Sequence, residues 1–472
     1  MPEPRFAVVG HPNKGKSSIV ATLAADPEVR VAPTPGTTTR SREFPMSVDG
    51  RTLYTLIDTP GFQRARRVLA WMAERDTTAD RRADVVRDFV DTPGHDRQFP
   101  DEVELLRPIV DDERPTGILY VVDGSVPYGP EYEAEMEILR WTGRPSLALI
   151  NPIGEADHVE AWRAALGQYF RIVRTFNAVT AEFDKRLELL RAFGQMAEGW
   201  REPLDEAVAA LDADRDRRRR ESAREIARLL IDAVTLEVSE KIGPKDDPKP
   251  VQPKLMEKYQ GELRRRERRC RERVEAIYGH AGLDRRGQEE GGPDKLLDAD
   301  LFSQETWLLF GLRRRDLVVA GAAGGGVAGG ALDVAAGGTS LFLGAAIGAA
   351  VGGTMGWLGA SRVAEFKVLN QPLGGRLVRC GPTRSVNFPF VLLGRARHHH
   401  AVVAGRTHAQ RGALELDEAK AGAMNPLTDT QRQTLAKAFR RLPKVSGDLD
   451  EVAPLTEAVT DTVAEVLADG SV

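Results

Sequence analysis

Eight residues near the start of the chain constrain its fold more than any others. Gly10-His11-Pro12-Asn13-Lys14-Gly15-Lys16-Ser17 fit the pattern G-x-x-x-x-G-K-[ST] and directly follow the apolar run Phe6-Ala7-Val8-Val9. A strand that ends in such a loop predicts a helix behind it, from Ser17 to Ala25. The loop curls its backbone N–H groups around an anion, and the helix dipole points its positive end at the same anion. Gly10 and Gly15 permit the curl, and Pro12, Asn13, Lys14 and Ser18 complete the lining. Lys16 is placed to reach the β- and γ-phosphates of a nucleotide, and the Ser17 hydroxyl to sit on Mg²⁺.

Residues 1–198 then alternate strand and helix. Strands are expected at Arg5 to Gly10, Arg42 to Val48, Thr52 to Asp58, Gly117 to Asp123, Ser146 to Asn151 and Phe170 to Phe176, with helices such as Glu131 to Trp141 and His158 to Ala165 between them. That alternation predicts an α/β P-loop nucleotide-binding domain, a mostly parallel sheet that binds its ligand at the carboxyl ends of the strands. Asp58-Thr59-Pro60-Gly61 closes the third strand. Asp58 would hold Mg²⁺ through a water, and the Gly61 amide can approach a γ-phosphate and report its loss. Between the two motifs, Pro33-Thr34-Pro35-Gly36-Thr37-Thr38-Thr39-Arg40 supplies hydroxyls to complete the metal shell, with Thr39 the first choice and Thr38 the second.

Gly-His-Pro-Asn-Lys-Gly-Lys-Ser-Ser at 10–18, Pro-Gly-Thr-Thr-Thr-Arg at 35–40 and Asp-Thr-Pro-Gly-Phe at 58–62 resemble the Era, TrmE and EngA class of GTPases over about the first 200 residues. The resemblance implies Mg²⁺-dependent GTP binding and hydrolysis, with Lys16, Thr39 and Gly61 at the reacting phosphate. Phe62 stands where Ras-like proteins carry a water-orienting glutamine. In potassium-activated members of the class an asparagine matching Asn13 helps to bind K⁺, which implies K⁺ stimulation here. The base-recognition motif departs from the family pattern. Where Asn-Lys-x-Asp is expected, after Leu147 to Ile150, the chain reads Asn151-Pro152-Ile153-Gly154-Glu155-Ala156-Asp157. Glu155 or Asp157 is left to replace the carboxylate that would accept guanine N–H groups. Asn177-Ala178 resembles the fifth motif, whose backbone meets the guanine oxygen. GTP is the expected nucleotide and ATP the alternative.

The segment between Gly61 and Gly117 is longer than such a domain requires and reads as an elaborated second switch, an arginine acting in cis, Arg64 or Arg67, being the disfavoured alternative. Its second Asp-Thr-Pro-Gly, at 91–94, follows no apolar strand and reads as a turn. The 66 basic and 70 acidic residues leave a net charge of −4 and make no bulk case for nucleic acid. Two cysteines, Cys270 and Cys380, suit a reducing compartment rather than a disulfide framework. The N-terminus shows no apolar signal region, so the first domain is expected in the cytoplasm, at the cytoplasmic face of the inner membrane if the glycine-rich stretch over 317–360 inserts there.

Beyond the first domain the expectation is a mainly helical region with a glycine-zipper hairpin. Residues 199–310 form a charged helical part, 311–368 the glycine-rich hairpin and 369–472 a mixed C-terminal part. Helices over 205–280 offer a surface for a protein partner or self-association, with Ile226, Leu229, Leu230 and Ala233 as one apolar stripe. Arg264 to Arg273, with seven arginines and two glutamates, reads as a solvated face. In 317–360 the glycines 321, 325, 329, 344, 348, 352 and 356 recur at four-residue spacing, and Asp333 is the lone charge. Small residues at that spacing let helices approach closely in lipid, so this stretch is the expected membrane partner. His398-His399-His400 point in different directions on any regular element and have no carboxylate near them in the sequence, so no metal site is expected there. Thr428 to Leu442 and Val452 to Leu467 read as amphipathic helices. The expected function is a GTP-hydrolysing switch coupled to a membrane. The alternatives are an Era-like regulator that binds ribosome or RNA, and a nucleotide-binding scaffold with little turnover.

Overall fold

A computed structural model describes residues 3–24, 38–75, 78–280, 301–302, 362–368, 371–383, 385, 387–406, 426–445 and 448–468. The hairpin expected over 317–360 and the loop 33–37 lie outside the described residues. The chain divides into two compact units, Met1–Arg215 with Gly405–Arg411, and Asp216–Ala404 with Gly412–Val472.

In the first unit six strands form one sheet. They are β1 (Arg5–Val9), β2 (Arg42–Val48), β3 (Arg51–Asp58), β4 (Thr116–Val122), β5 (Ser146–Ile150) and β6 (Val173–Thr175), in the order β2-β3-β1-β4-β5-β6. Only the β2–β3 pair is antiparallel; β1 lies parallel to both β3 and β4, and β4–β5 and β5–β6 are parallel as well. The period-two side-chain alternation explains why the central strands are apolar throughout, since both faces are covered. Phe6, Val8, Leu119 and Val121 face α1 (Lys16–Ala24) and α8 (Phe183–Gly194), whereas Ala7, Val9, Ile118 and Tyr120 face the opposite layer.

That opposite layer is built largely by the segment inserted after β3. It folds as α2 (Ala65–Ala73), α3 (Arg82–Asp91), the short α4 (His95–Gln98) and α5 (Pro100–Val110), and α6 (Glu131–Trp141) packs beside them. Val68, Val86, Phe89, Leu105, Leu106 and Ile109 are fully buried there. The second Asp-Thr-Pro-Gly makes the turn between α3 and α4, where Gly94 takes a φ of 89°. α7 (Val159–Leu166) completes the layer at the β5–β6 end.

The unit division falls within α9 (Arg201–Thr235). The second unit holds α10 (Gln252–Ile277), α11 (Phe388–Gly405), α12 (Asp429–Val445) and α13 (Leu449–Ala468). It also holds a sheet that the sequence reading missed: β7 (Val238–Ile242), β9 (Gln371–Cys380) and β8 (Arg362–Val368), antiparallel in that order. Residues 238–240 read locally as the end of a helix, but Val238 pairs with Cys380 in a register no local pattern reveals. The stripe Ile226, Leu229, Leu230 and Ala233 packs with Leu255, Tyr259, Leu263 and Val274 of α10 and with residues of α11 to α13. Among the described residues no helix is long and apolar enough to cross a membrane.

Two expectations for this unit need correction. The arginine run is not wholly a solvated face: Glu267 and Cys270 are buried, and Glu267 Oε1 accepts a hydrogen bond from Arg395 Nε at 2.6 Å. The three histidines do have a carboxylate near them, because Glu275 of α10 lies 3.1 Å from His399 Nε2. All three are buried, and among the described residues no cluster of ligands could hold a metal ion.

The Tyr278 hydroxyl lies 2.9 Å from His400 Nε2. Burial keeps His400 neutral, pushing its pKa from 6.5 down to about 3. Below 6.5 the unfolded chain takes up a proton that the folded unit refuses, so stability is lost as pH falls from 6.5 toward 3. By pH ~5 the loss from this one group reaches about 2 kcal/mol. Calorimetry of wild type and His400→Gln between pH 7 and 5 checks this, and the variant is expected to show the shallower slope.

Candidate nucleotide-binding site

The loop after β1 has the backbone that its glycines allow. Gly10 takes a φ of 143°, Gly15 81° and Asn13 61°, values that L side chains rarely adopt. A Cβ at Gly10 would stand 2.4 Å from the Val121 carbonyl oxygen, and one at Gly15 would stand 2.2 Å from Asn151 Nδ2. Gly10→Ala is therefore expected to displace the loop from β4 and lower the melting temperature, at a cost of about 1–3 kcal/mol. A thermal shift assay with and without nucleotide checks it; unchanged stabilisation by nucleotide would contradict the role given to this glycine.

Lys16 begins α1 and is almost completely buried. Its Nζ donates to the carbonyls of Gly10 at 3.2 Å and His11 at 2.9 Å. Burial pushes its pKa down to about 8, against the opposing pull of Asp58 and Glu135. The ammonium is thus held in the loop without a full counter-charge, poised for an anion.

Asp58 ends β3 one hydrogen bond from α1. Its Oδ2 accepts from Ser17 Oγ at 2.9 Å and from Thr38 Oγ1 at 3.1 Å. Burial raises its pKa, opposed by these bonds and by Lys16. Its other oxygen, Oδ1, is buried and has no hydrogen-bond partner among the described residues. A buried carboxylate oxygen without a partner is costly, and a hydrated divalent cation between Ser17 and Asp58 would satisfy it. The residues present fit Mg²⁺. They converge on Thr38 rather than Thr39, which is exposed.

Gly61 lies against the loop, where a Cβ would meet the Pro12 nitrogen at 2.6 Å. The Phe62 amide donates to Gly10 O at 3.2 Å, and its apolar ring is buried among core residues. Arg64 Nη1 donates to Gln98 O at 2.6 Å, and the Arg67 guanidinium lies 5.3 Å from the Phe99 ring centroid. Both arginines are thereby engaged with α4 and the start of α5.

On the base side, Asn151 ties three loops together. Its Nδ2 donates to Lys14 O at 3.2 Å and its Oδ1 accepts the Ala178 amide at 3.1 Å. Asn177 Nδ2 donates to Pro152 O at 2.8 Å, and its Oδ1 accepts the amides of Val179 and Thr180. Glu155 and Asp157 are exposed on the loop after β5. Asn13 and Ser18 sit on the rim of the loop, Asn13 exposed and Ser18 half-buried.

The sequence reading missed Glu135. It is 1% exposed, accepts from the Tyr120 hydroxyl at 2.9 Å and lies 2.8 Å from His11 Nδ1, behind the loop that Lys16 closes. Burial raises its pKa, against the pull of its His11 and Tyr120 bonds. The available signal was a carboxylate in the apolar stripe Tyr132, Met136, Leu139 of α6.

Comparison with known proteins gives two family matches. The model described as "Domain of unknown function (DUF3482)" matches residues 163–468, and the model described as "50S ribosome-binding GTPase" matches residues 5–98. Among curated proteins, GTPase Der of Herminiimonas arsenicoxydans is 48% identical over 64 residues, 14% of this chain and 14% of that protein. GTPase Der of Caldanaerobacter subterraneus subsp. tengcongensis is 44% identical over 64 residues, with the same coverage. The chain thus matches about one seventh of the length of these curated relatives. Among solved structures, Aquifex aeolicus Era bound to GDP.AlF4- aligns at 16% identity and a TM-score of 0.29, covering 60% of this chain and 91% of that one.

Proposed function

The chain belongs to the family defined by the domain of unknown function DUF3482, which covers residues 163–468 behind an Era- and EngA-like P-loop GTPase domain, and from that premise we propose that it is a Mg²⁺-dependent GTP-hydrolysing switch. The observation that carries the reading is the convergence on Asp58. Ser17 and Thr38, from the two loops that would hold metal and γ-phosphate, bond one of its oxygens, and the buried second oxygen is left for the metal shell. When bound, Mg²⁺ supplies positive charge to the β- and γ-phosphates. Lys16 adds a second positive charge, and the amides around Gly15 and Gly61 orient the transferred group. Because Phe62 is buried, water must be positioned by other groups. K⁺ beside Asn13 is the arrangement the resemblance suggests, and equal turnover in Na⁺ and K⁺ buffers would count against it.

Base choice rests on Asn151, Asn177 and Ala178, with Glu155 or Asp157 as the carboxylate for guanine. Titration with fluorescent GTP and ATP analogues tests it. Tighter binding of GTP supports the switch reading, whereas equal binding would move the protein to a general NTPase without base choice. The glycine spacing over 317–360 favours a membrane as the site of output. Liposome flotation lost on deletion of 317–360 would support it, and cosedimentation with ribosomes independent of that stretch would favour the ribosomal alternative.

A further inference from the structure

The last helix inserted after β3, α5, also touches the two loops expected to respond to the γ-phosphate, 38–41 and 61–64. Glu104 Oε1, on α5, accepts the Ser41 amide at 2.8 Å, and the Ser41 hydroxyl donates to the Glu104 carbonyl at 2.9 Å. Ser41 is three residues past Thr38, whose hydroxyl is on Asp58. Glu102 Oε1, two residues earlier on α5, accepts the Gln63 amide at 2.8 Å and the Arg64 amide as well. Those amides directly follow Gly61-Phe62. Residues two apart on a helix point about 160° apart, so one helix holds the two loops from different sides.

α5 is a firm support. Val103, Leu105, Leu106 and Ile109 are buried in the core, and Arg144 Nε and Nη2 donate to the carbonyls of Ile109 in its last turn and Asp111 just past its end. Glu102 is fully buried, and its Oε2 has no partner among the described residues. A carboxylate buried at that cost is more than core packing asks for. Its chemistry suits the capture of backbone amides through charge-assisted hydrogen bonds.

We propose that α5 is a clamp, in which Glu102 and Glu104 position both nucleotide-responsive loops so that residues 38–41 and 61–64 are held together in the arrangement that receives the γ-phosphate. This rests on the switch reading given above. The two glutamates are positioning residues. With the clamp made, Thr38 already stands at Asp58 beside Ser17, so a nucleoside triphosphate meets loops in place. With it broken, the triphosphate must order both loops itself, and a diphosphate, which needs neither, binds as before.

The test is binding of fluorescent GDP and a non-hydrolysable GTP analogue, with Mg²⁺, to the full chain carrying Glu102→Gln, Glu104→Ala, Glu104→Gln or Ser41→Ala. Glu104→Ala is expected to weaken the analogue about tenfold, and Glu102→Gln, which keeps an acceptor but loses its charge, by a smaller factor, while GDP affinity stays within about twofold. Combined, they should lose less than the product of the single losses, because both act on one coupled arrangement. Glu104→Gln, which keeps an acceptor for the Ser41 amide, should recover most of the loss.

Equal weakening of both ligands, or a lower melting temperature with no change in the ratio, would mean that the glutamates serve only the fold, and would overturn the clamp. Should Glu102→Gln fail to fold, Glu104→Ala and Ser41→Ala decide alone, and an unshifted ratio in both overturns it. Wild-type protein that binds neither nucleotide overturns the switch reading and the clamp with it. Wild-type binding with an unshifted ratio in the variants overturns the clamp alone.

Discussion

Replacing Lys16 with methionine is expected to weaken GTP binding on the order of 100-fold without unfolding the protein, since charge-assisted hydrogen bonds to phosphate contribute about 1.5–3 kcal/mol each. The pH dependence identifies the cause. Without ligand, burial holds the Lys16 pKa at about 8. A bound polyphosphate favours the ammonium and raises that value, so binding takes up a proton above pH 8. Affinity should then be flat below pH ~8 and fall about tenfold per pH unit above it, while the variant shows no such limb.

Stability without nucleotide should move the opposite way. The folded pKa lies below the unfolded value of 10.5, so between these two values the unfolded chain holds more protons and the fold gains stability as pH rises. The buried ammonium costs on the order of 3 kcal/mol at neutral pH. Its two bonds to the Gly10 and His11 carbonyls offset part of that cost. Lys16→Met should therefore melt no lower than wild type at pH 7, and wild type should gain on it toward pH 10. Denaturant titration across that range checks it; a variant that melts far lower at pH 7 would show that Lys16 serves the fold rather than a ligand.

The second large effect belongs to the other unit. Arg395 and Glu267 have side chains 2% and 7% exposed and meet at 2.6 Å between α11 and α10. Two ions taken out of water recover much of their desolvation through each other. Glu267→Leu removes the carboxylate and leaves the guanidinium in the core, an expected loss of about 3–5 kcal/mol. Glu267→Leu combined with Arg395→Met removes both charges and should return close to wild-type stability. Calorimetry of the three proteins measures this. A double variant as unstable as the single one would show that shape, and not charge, holds the two helices in register.

Within the first unit the sequence was legible where chemistry and chain order coincide. A phosphate loop needs a strand before it and a helix behind it, so residues 5–25 announce three consecutive elements. Asp58 and Gly61 were readable for the same reason, as was Asn151 at the end of its apolar strand. The order of the six strands was not legible and came only from the structure. The inserted segment 62–116 was less legible: its helices were not foreseen, because Asp84 to Val90 mixes charges among apolar residues and shows its buried face only once α2 and α5 lie against it.

The sequence by itself thus determined a P-loop α/β domain and the periodic faces of its helices. Tertiary structure decided what lies across each of those faces. His11 meets Glu135 across 124 residues, Arg395 meets Glu267 across 128, and Ser41 meets Glu104 across 63. A periodic pattern reports that a face is buried, but it carries no address for the group opposite. A polar residue on such a face has a meaning only when its partner is known, because burial without a partner is costly and burial with one is specific. That is why the hydrogen bond from Thr38 to Asp58, the Glu135 support behind the loop and the pairing of β7 with β9 became visible only in three dimensions.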